Sequence, residues 1–424
     1  MTSIQTLSRG LDPLRTTLDN GVVILAQESR AVAAIALNAT FFAGSVHDAE
    51  NLPGVAYLTR RTIDRGTAIR SADDIAATLD DRGVSLRTAV TRHTLSLSCL
   101  CLPEDFDEVL ALIADIARHA VFPELELEKQ RQEAITSLRE DQDDPARVAY
   151  DTLLDLLYGR DHPYGRRVKG GLEALEAITR THLVDFHRRR LTPSSLKVAV
   201  SGDVSAESAV ASAERAFADW VGPVAENEPI APPQDRRSRS CQSIAMPGKA
   251  QTDIAYGFAA VRRLDPRYYA YWVMNDILGQ FGLGGRLAEN IRERQGMAYY
   301  AYSTIEPAEG EGALVIHAGV APENVARTIE AIDTEVRLLG REGPTVNELE
   351  ETRDSLIGAI PRMLETNESI ADFMLFAEQF ALGLDYHHRL PGLLQQVTMD
   401  DVKEAAADIL NPARAAVAIA GPPS

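Results

Sequence analysis

The 424-residue chain reads as an α+β protein built from two homologous sheet-and-helix domains in tandem. Three observations carry that reading. A helix-Pro-strand-Gly motif near residue 193 recurs near residue 412. Strand patterns open each half and helical patterns fill its middle. A polar, proline-punctuated stretch lies between the halves. Length agrees, since single cores stop growing beyond about 250–300 residues. The apolar fraction of 45% is enough to fill two cores.

The first half opens on a hairpin signal, Asp19-Asn20-Gly21, between TTL and VVILAQ. Asn-Gly in that setting predicts a tight type I′ turn. A second apolar run, AVAAIALNATFFAG, follows. Ser71 and Asp74 form a capping-box pattern that starts a helix, and Gly83 ends it. VSLRTAV and TLSLSCLCL alternate as strands. Helical patterns then run through PEDFDEVLALIADIARHA, ELELEKQRQEAITSLRE and ARVAYDTLLDLLYG. The half closes on helix, Pro193, strand and Gly202.

The chain's end repeats that closing unit. At an offset of 219 residues Thr179 meets Thr398, Leu191 meets Leu410, Pro193 meets Pro412 and Gly202 meets Gly421. At an offset of 222, Leu127-Glu128 meets Leu349-Glu350 and Arg131 meets Arg353. The expected boundaries are 1–222 for the first domain, 223–240 for a linker carrying Pro223, Pro229, Pro232 and Pro233, and 241–424 for the second domain.

The formal charge of −19 argues against a general nucleic-acid binder, which needs a basic face; its main expected role is to keep the chain soluble, and it would also attract basic partners or peptides. No run reaches the ~18 apolar residues of a membrane span, and the N-terminus lacks a basic start followed by an apolar block. The expectation is a cytoplasmic protein. Cys99 and Cys101, two apart in an alternating strand, share one face and are expected to be buried, free thiols. The histidines are scattered; His182 and His187 are five apart, poor spacing for one helix face.

One segment carries a family resemblance. FFAGSVHDAENLPGVAYLTRRTIDRGT resembles the start of a pitrilysin-family (inverzincin) zinc peptidase, whose pattern is Ala-Gly-Ser, an acidic stretch, Gly-x-Ala-His-x-x-Glu-His and Gly-Thr. Ala43-Gly44-Ser45, Gly54 with Ala56, and Gly66-Thr67 match. The metal chemistry does not. Tyr57 stands at the first His, Arg60 at the Glu and Arg61 at the second His. An Arg has no lone pair to give a metal and cannot act as a base at neutral pH. The family's third ligand, a Glu before an acidic-Pro turn, falls near Ser137 or Leu138, ahead of Asp143-Asp144-Pro145. No metal is therefore expected in this chain. One expectation for the replaced motif is an Arg in the old metal position, paired with a carboxylate such as Glu133.

The second half keeps another family pattern, Arg-Glu-x-x-Gly-x-Ala-Tyr, as Arg292, Glu293, Gly296, Ala298 and Tyr299. The resemblance implies that Arg292 and Tyr299 are catalytic donors, reaching the scissile carbonyl of a peptide held at a partner's zinc. Upstream, Gly279-Gln280-Phe281-Gly282-Leu283-Gly284-Gly285 lacks the Gly-Lys-Ser/Thr of a phosphate loop and follows a helical pattern. It resembles a family turn reading Gly-Ser-Arg-Leu. Gly284, Gly285 and Arg286 are the expected substrate-side residues, with close packing at a helix start.

The resemblance, from TTLDNGVVILAQE to AVAIAG, implies one half of a clamshell. This chain would be the non-metal, substrate-binding subunit of a heterodimeric zinc metallopeptidase, inactive alone. An H-x-x-E-H subunit would supply zinc, ligands and base, and peptides would be the substrate. A homodimer stays open for the isolated chain. A different class, a catalytically inactive scaffold or peptide-binding subunit related to respiratory-complex core proteins, is the competing expectation. A chain kept only for packing has no reason to hold the Arg/Tyr pair.

Overall fold

The structure is a computed structural model that describes residues 11–225, 229–233, 238–280 and 285–423. Its first half holds strands β1 (Leu14–Thr17), β2 (Val23–Glu28), β3 (Ile35–Phe41), β4 (Arg87–Val90), β5 (Leu95–Cys101) and β6 (Leu196–Gly202). With them go helices α1 (Val55–Thr62), α2 (Ala72–Asp80), α3 (Phe106–His119), α4 (Glu124–Asp143), α5 (Pro145–Tyr158), α6 (Leu172–Ala177), α7 (Arg180–Arg190) and α8 (Ala206–Phe217). The second half holds β7 (Ser240–Ala245), β8 (Thr252–Ala259), β9 (Ala298–Ile305), β10 (Ala313–Val320) and β11 (Ala416–Gly421). Its helices are α9 (Tyr268–Asn275), α10 (Val325–Glu342), α11 (Val346–Ala359), α12 (Asn367–Gln379), α13 (Tyr386–Gln395) and α14 (Met399–Ile409). Wide-turned helical segments, Asp276–Gln280 and Ala288–Arg294, complete it.

The duplication is visible strand by strand. The first sheet runs β1-β2-β6-β3-β5-β4 and the second β7-β11-β8-β10-β9. Without β1 the two orders coincide. Each has one parallel pair, β2 with β6 and β7 with β11, and is otherwise antiparallel. Gly202 and Gly421, matched by the sequence offset, end equivalent central strands opposite Glu28 and Ala245.

Alternation sorts each strand's side chains between two cores. Ile24, Leu37, Ala39 and Val198 face the first half's own helices. Val23, Leu25, Ala36 and Ala199 face the other way, against Ile370, Ala371, Met374 and Leu375 of α12, a helix of the second half. The second sheet mirrors this. Tyr256, Phe258, Leu314 and Ile316 face local helices. Ala255, Val315, Ala416 and Ala418 meet Ala149, Leu153, Leu154 and Leu157 of α5, which comes from the first half. Each half thus lends one helix to its sibling's sheet. Gly257 makes room for α5, since a Cβ there would stand 2.9 Å from a Leu153 methyl. Fully burying a leucine contributes about 1.5–3 kcal/mol, so α5 is a substantial tie.

Local signals are realised with one correction. Ser71 and Asp74 form the capping box of α2, and Gly83 ends that turn at φ +63°. His182 closes the N-terminus of α7, its Nδ1 accepting from Thr179 N at 3.1 Å, and His187 pairs with the Ala117 carbonyl at 2.8 Å. Cys99 and Cys101 are buried and free, and Cys241 is exposed. The first hairpin is not a two-residue type I′ turn. Leu18 N donates to Val22 O and Gly21 N to Leu18 O, both at 2.9 Å, which makes a three-residue turn with only Gly21 at positive φ (+92°). The reason lies at Asn20. Its amide donates to the Phe217 and Trp220 carbonyls at 2.7 and 3.1 Å, and so pins the turn to the end of α8.

Candidate functional site

The replaced motif lies on α1, a short helix whose start is built with care. Gly54 sits at φ +107°, and the buried Asp48 carboxylate accepts from Gly54 N at 2.7 Å and Ala56 N at 2.8 Å. An anion at a helix N-terminus satisfies orphan donors and complements the dipole. Burial nevertheless pushes the Asp48 carboxyl up to about 7, against the pull of those two N–H groups.

From α1, Tyr57 and Arg61, one turn apart, point toward α4. Arg61 spends its whole fork there. Its Nε donates to Gln130 Oε1 at 3.0 Å, one Nη to the Tyr57 hydroxyl at 3.3 Å, and the other to Glu133 Oε2 at 2.5 Å. The Arg61–Glu133 pair is the one expected for the old metal position. One turn further along α4, Ser137 accepts from Lys169 Nζ at 2.9 Å, and the same ammonium pairs with Asp141 at 2.7 Å. Two cations therefore stand against two carboxylates of one helix. Arg60 leaves this cluster. Its Nε donates to the Thr88 carbonyl of β4 at 2.8 Å, and burial pulls the guanidinium below its usual value without discharging it. Tyr57, Arg60, Arg61 and Ser137 do not fit a zinc ion: two are fixed cations, and the others are neutral hydroxyls already bonded to cations. Among the described residues no group of three His, Cys, Asp or Glu stands together as a metal site.

The second constellation is differently disposed. Arg292 lies in the segment Ala288–Arg294, which Gly296 ends at φ +60° before β9 begins. Its side chain is 42% exposed, and the ion pair it makes is with its neighbour Glu293 at 3.4 Å. Tyr299, at the start of edge strand β9, is 82% exposed. Both donors are thus exposed, Arg292 in the helical segment that leads into β9 and Tyr299 on that strand. Among the described residues no hydrogen bond or ion pair joins them to the α1–α4 cluster.

The Gly-rich turn divides. Gly284 lies outside the described residues. Gly285 packs against Gly279, where a Cβ would meet the Gly279 Cα at 2.7 Å, which is the close packing expected. Arg286 is committed to the fold. Its Nε and Nη donate to both oxygens of Glu348 at 2.6 and 2.8 Å, and Nη also reaches Gly343 O at 3.2 Å. Sequence reasoning missed Gln130, Lys169, Asp141, Asp48 and Thr88 as members of the site. Asp48 lies in the acidic stretch of the family pattern, where no single residue stood out, and the others belong to no motif. Only the spacing of Gln130, Glu133 and Ser137 along one face of α4 hinted at them.

Comparison with known proteins places the fold. Residues 22–169 match the family described as insulinase, peptidase family M16, and residues 177–356 match the peptidase M16 inactive domain. An uncharacterized zinc protease of Mycobacterium leprae is 29% identical, over 98% of this chain and 93% of its own length. A second, from Bacillus subtilis, is 25% identical over 84% of this chain and 85% of its own length. Among solved structures, a peptidase M16 inactive domain from Pseudomonas fluorescens superposes with a TM-score of 0.91 at 25% identity and covers 98% of both chains. A Helicobacter pylori protease shares the fold at a TM-score of 0.89 and 15% identity, over 97% of this chain and all of the other.

Proposed function

We propose, because this chain belongs to the M16 peptidase family, that it is the non-metal, substrate-binding subunit of a heterodimeric zinc metallopeptidase acting on peptides in a closed chamber. The observation that carries the reading is the contrast between the two constellations. The cations of the old metal position are spent on carboxylates, hydroxyls and a strand carbonyl, whereas Arg292 and Tyr299 are exposed at the margin of the second sheet. A chain retained for packing alone has no use for an exposed donor pair.

In this reading the partner, an H-x-x-E-H subunit of the same fold, supplies zinc, its ligands and the base. This chain supplies half the chamber wall and two donors. Arg292 is a permanent cation and Tyr299 a neutral O–H donor. Aimed at a scissile carbonyl, they hold it in ground-state binding and strengthen as negative charge grows on its oxygen. One preorganised donor of that kind contributes on the order of 3 kcal/mol. A closed chamber admits peptides and unfolded segments and rejects folded proteins. The formal charge of −19 attracts basic ones.

The test is peptide hydrolysis with zinc present, by this chain alone and mixed with a two-domain relative carrying an intact H-x-x-E-H. Activity confined to the mixture, and lost with Arg292→Ala although the complex still assembles, is the expected result. A stable complex that never cleaves peptide moves the assignment to a scaffold. Chelator-sensitive activity from the chain alone removes the reading.

A further inference from the structure

Arg60, at the position of the lost general base, donates to the backbone of β4, one of the first sheet's two edge strands. β4 pairs with β5 on one side and forms the end of the sheet on the other. In an antiparallel pair, residues alternate between those that exchange both backbone bonds with the neighbour and those whose N–H and C=O turn away. Thr91 N donates to Thr94 O at 2.8 Å, which sets the phase. Ala89, opposite Ser96, faces inward; Thr88, opposite Leu97, and Val90, opposite Leu95, turn outward.

The Thr88 carbonyl is therefore an edge acceptor, and it is the one that Arg60 Nε occupies at 2.8 Å. The Arg60 guanidinium lies 6.0 Å from the centre of the Tyr57 ring. An outward-facing row of N–H and C=O groups is a template on which an extended chain can add as a further strand. A guanidinium in that path takes the carbonyl an incoming N–H needs and fills the space the chain would cross.

We propose that Arg60 is a latch that closes the β4 edge to strand addition by an extended, basic peptide. The second sheet's matching edge is obstructed by other means. Glu306 N donates to Ala313 O, which leaves Ser303 of β9 turned outward, and Gly279 lies so close that a Cβ on it would stand 2.7 Å from Ser303 N. The inference rests on the two-subunit reading for its consequence: with the β4 and β9 edges obstructed, strand docking at this position is left to the partner's matching edge.

The experiment uses the isolated chain without partner or zinc, so its outcome is independent of the mixing assay. A fluorescein-labelled decapeptide of alternating Lys and Val is titrated by anisotropy against the wild type, Arg60→Met and Arg60→Gln. Folding of each variant is checked by circular dichroism and melting. The expected result is at least tenfold tighter binding to a folded variant. That gain disappears for a peptide N-methylated at alternate backbone positions, which keeps its side chains but cannot pair. It also disappears when Val90→Pro is added, because proline removes an outward N–H. Equal affinity for the wild type and both folded variants overturns the latch. A gain that survives N-methylation overturns it too, because side chains rather than the edge would then hold the peptide.

Discussion

The two halves share five strands in one order, one parallel pair and a reciprocal loan of one helix, yet they treat charge in opposite ways. In the first half, Arg61 of α1 and Lys169 of the turn before α6 satisfy Glu133 and Asp141 of α4. At the margin of the second sheet, Arg292 and Tyr299 stay exposed. Duplication kept the frame and let the surfaces diverge. A cluster that neutralises itself maintains shape, whereas a donor pair left open toward solvent is suited to something outside the chain. Removing each kind of group should therefore produce a different class of defect.

The largest expected effect is at Arg292. In a reconstituted pair, Arg292→Ala lowers kcat for peptide cleavage by about 10²–10³-fold, the usual loss for one oxyanion donor. Assembly, followed by gel filtration, is unchanged. A loss that appears only in KM would mean that Arg292 binds substrate and transition state equally.

Next is the lent helix. Leu153→Ala empties a fully buried site between α5 and the second sheet and costs about 2–5 kcal/mol in denaturant unfolding. The change lies in a first-half helix, but the sheet it uncovers is in the second half. Unfolding probes in both halves should shift together. Separate transitions would break the picture of interlocked halves.

A third prediction concerns pH. His317 of β10 stacks between Tyr302 and Tyr150, at 4.9 and 5.8 Å. Burial pulls its imidazole from the usual 6.5 down to about 4. The unfolded chain binds this proton first, so the contribution is present above pH 6.5 and is lost as pH falls toward 4. The shift corresponds to roughly 3 kcal/mol, and His317→Phe should flatten that part of the stability–pH curve.

The smallest effect belongs to the self-neutralised cluster. Arg61→Met leaves Glu133, about half exposed, to water and costs about 1–2 kcal/mol by thermal melt. Cleavage by the reconstituted pair stays intact. A large loss of activity from this variant would place the cluster in the chemistry and collapse the contrast between the halves.

Much of the frame was legible before any coordinates. Pro193 and Pro412, Gly202 and Gly421, and the Ser71–Asp74 cap are local signals, and local signals survive in a single sequence. The pairing of Arg61 with Glu133 was within reach because both neighbour a recognisable motif. The helix exchange was not, since α12 meets strands more than 160 residues away and its own pattern is that of any amphipathic helix. A clue existed in TDIAYGFA of β8, buried at all but its last position, as a strand covered on both faces must be. The commitment of Arg286 to Glu348 had no local signal, since the partners are 62 residues apart. The hairpin at Asn20 departs from the type I′ expectation because its geometry answers to distant carbonyls rather than to the dipeptide.

The exchange of α5 and α12 acts like a clasp. Each half holds a piece of the other, so neither can swing away without tearing an apolar face open to water. Cutting the chain between Trp220 and Ser240 would leave two fragments still gripping each other, and producing either alone would leave a sheet bare on one side. In the two-subunit chamber proposed above, opening and shutting around a peptide would then fall to the seam between subunits, with the two halves of this chain moving together.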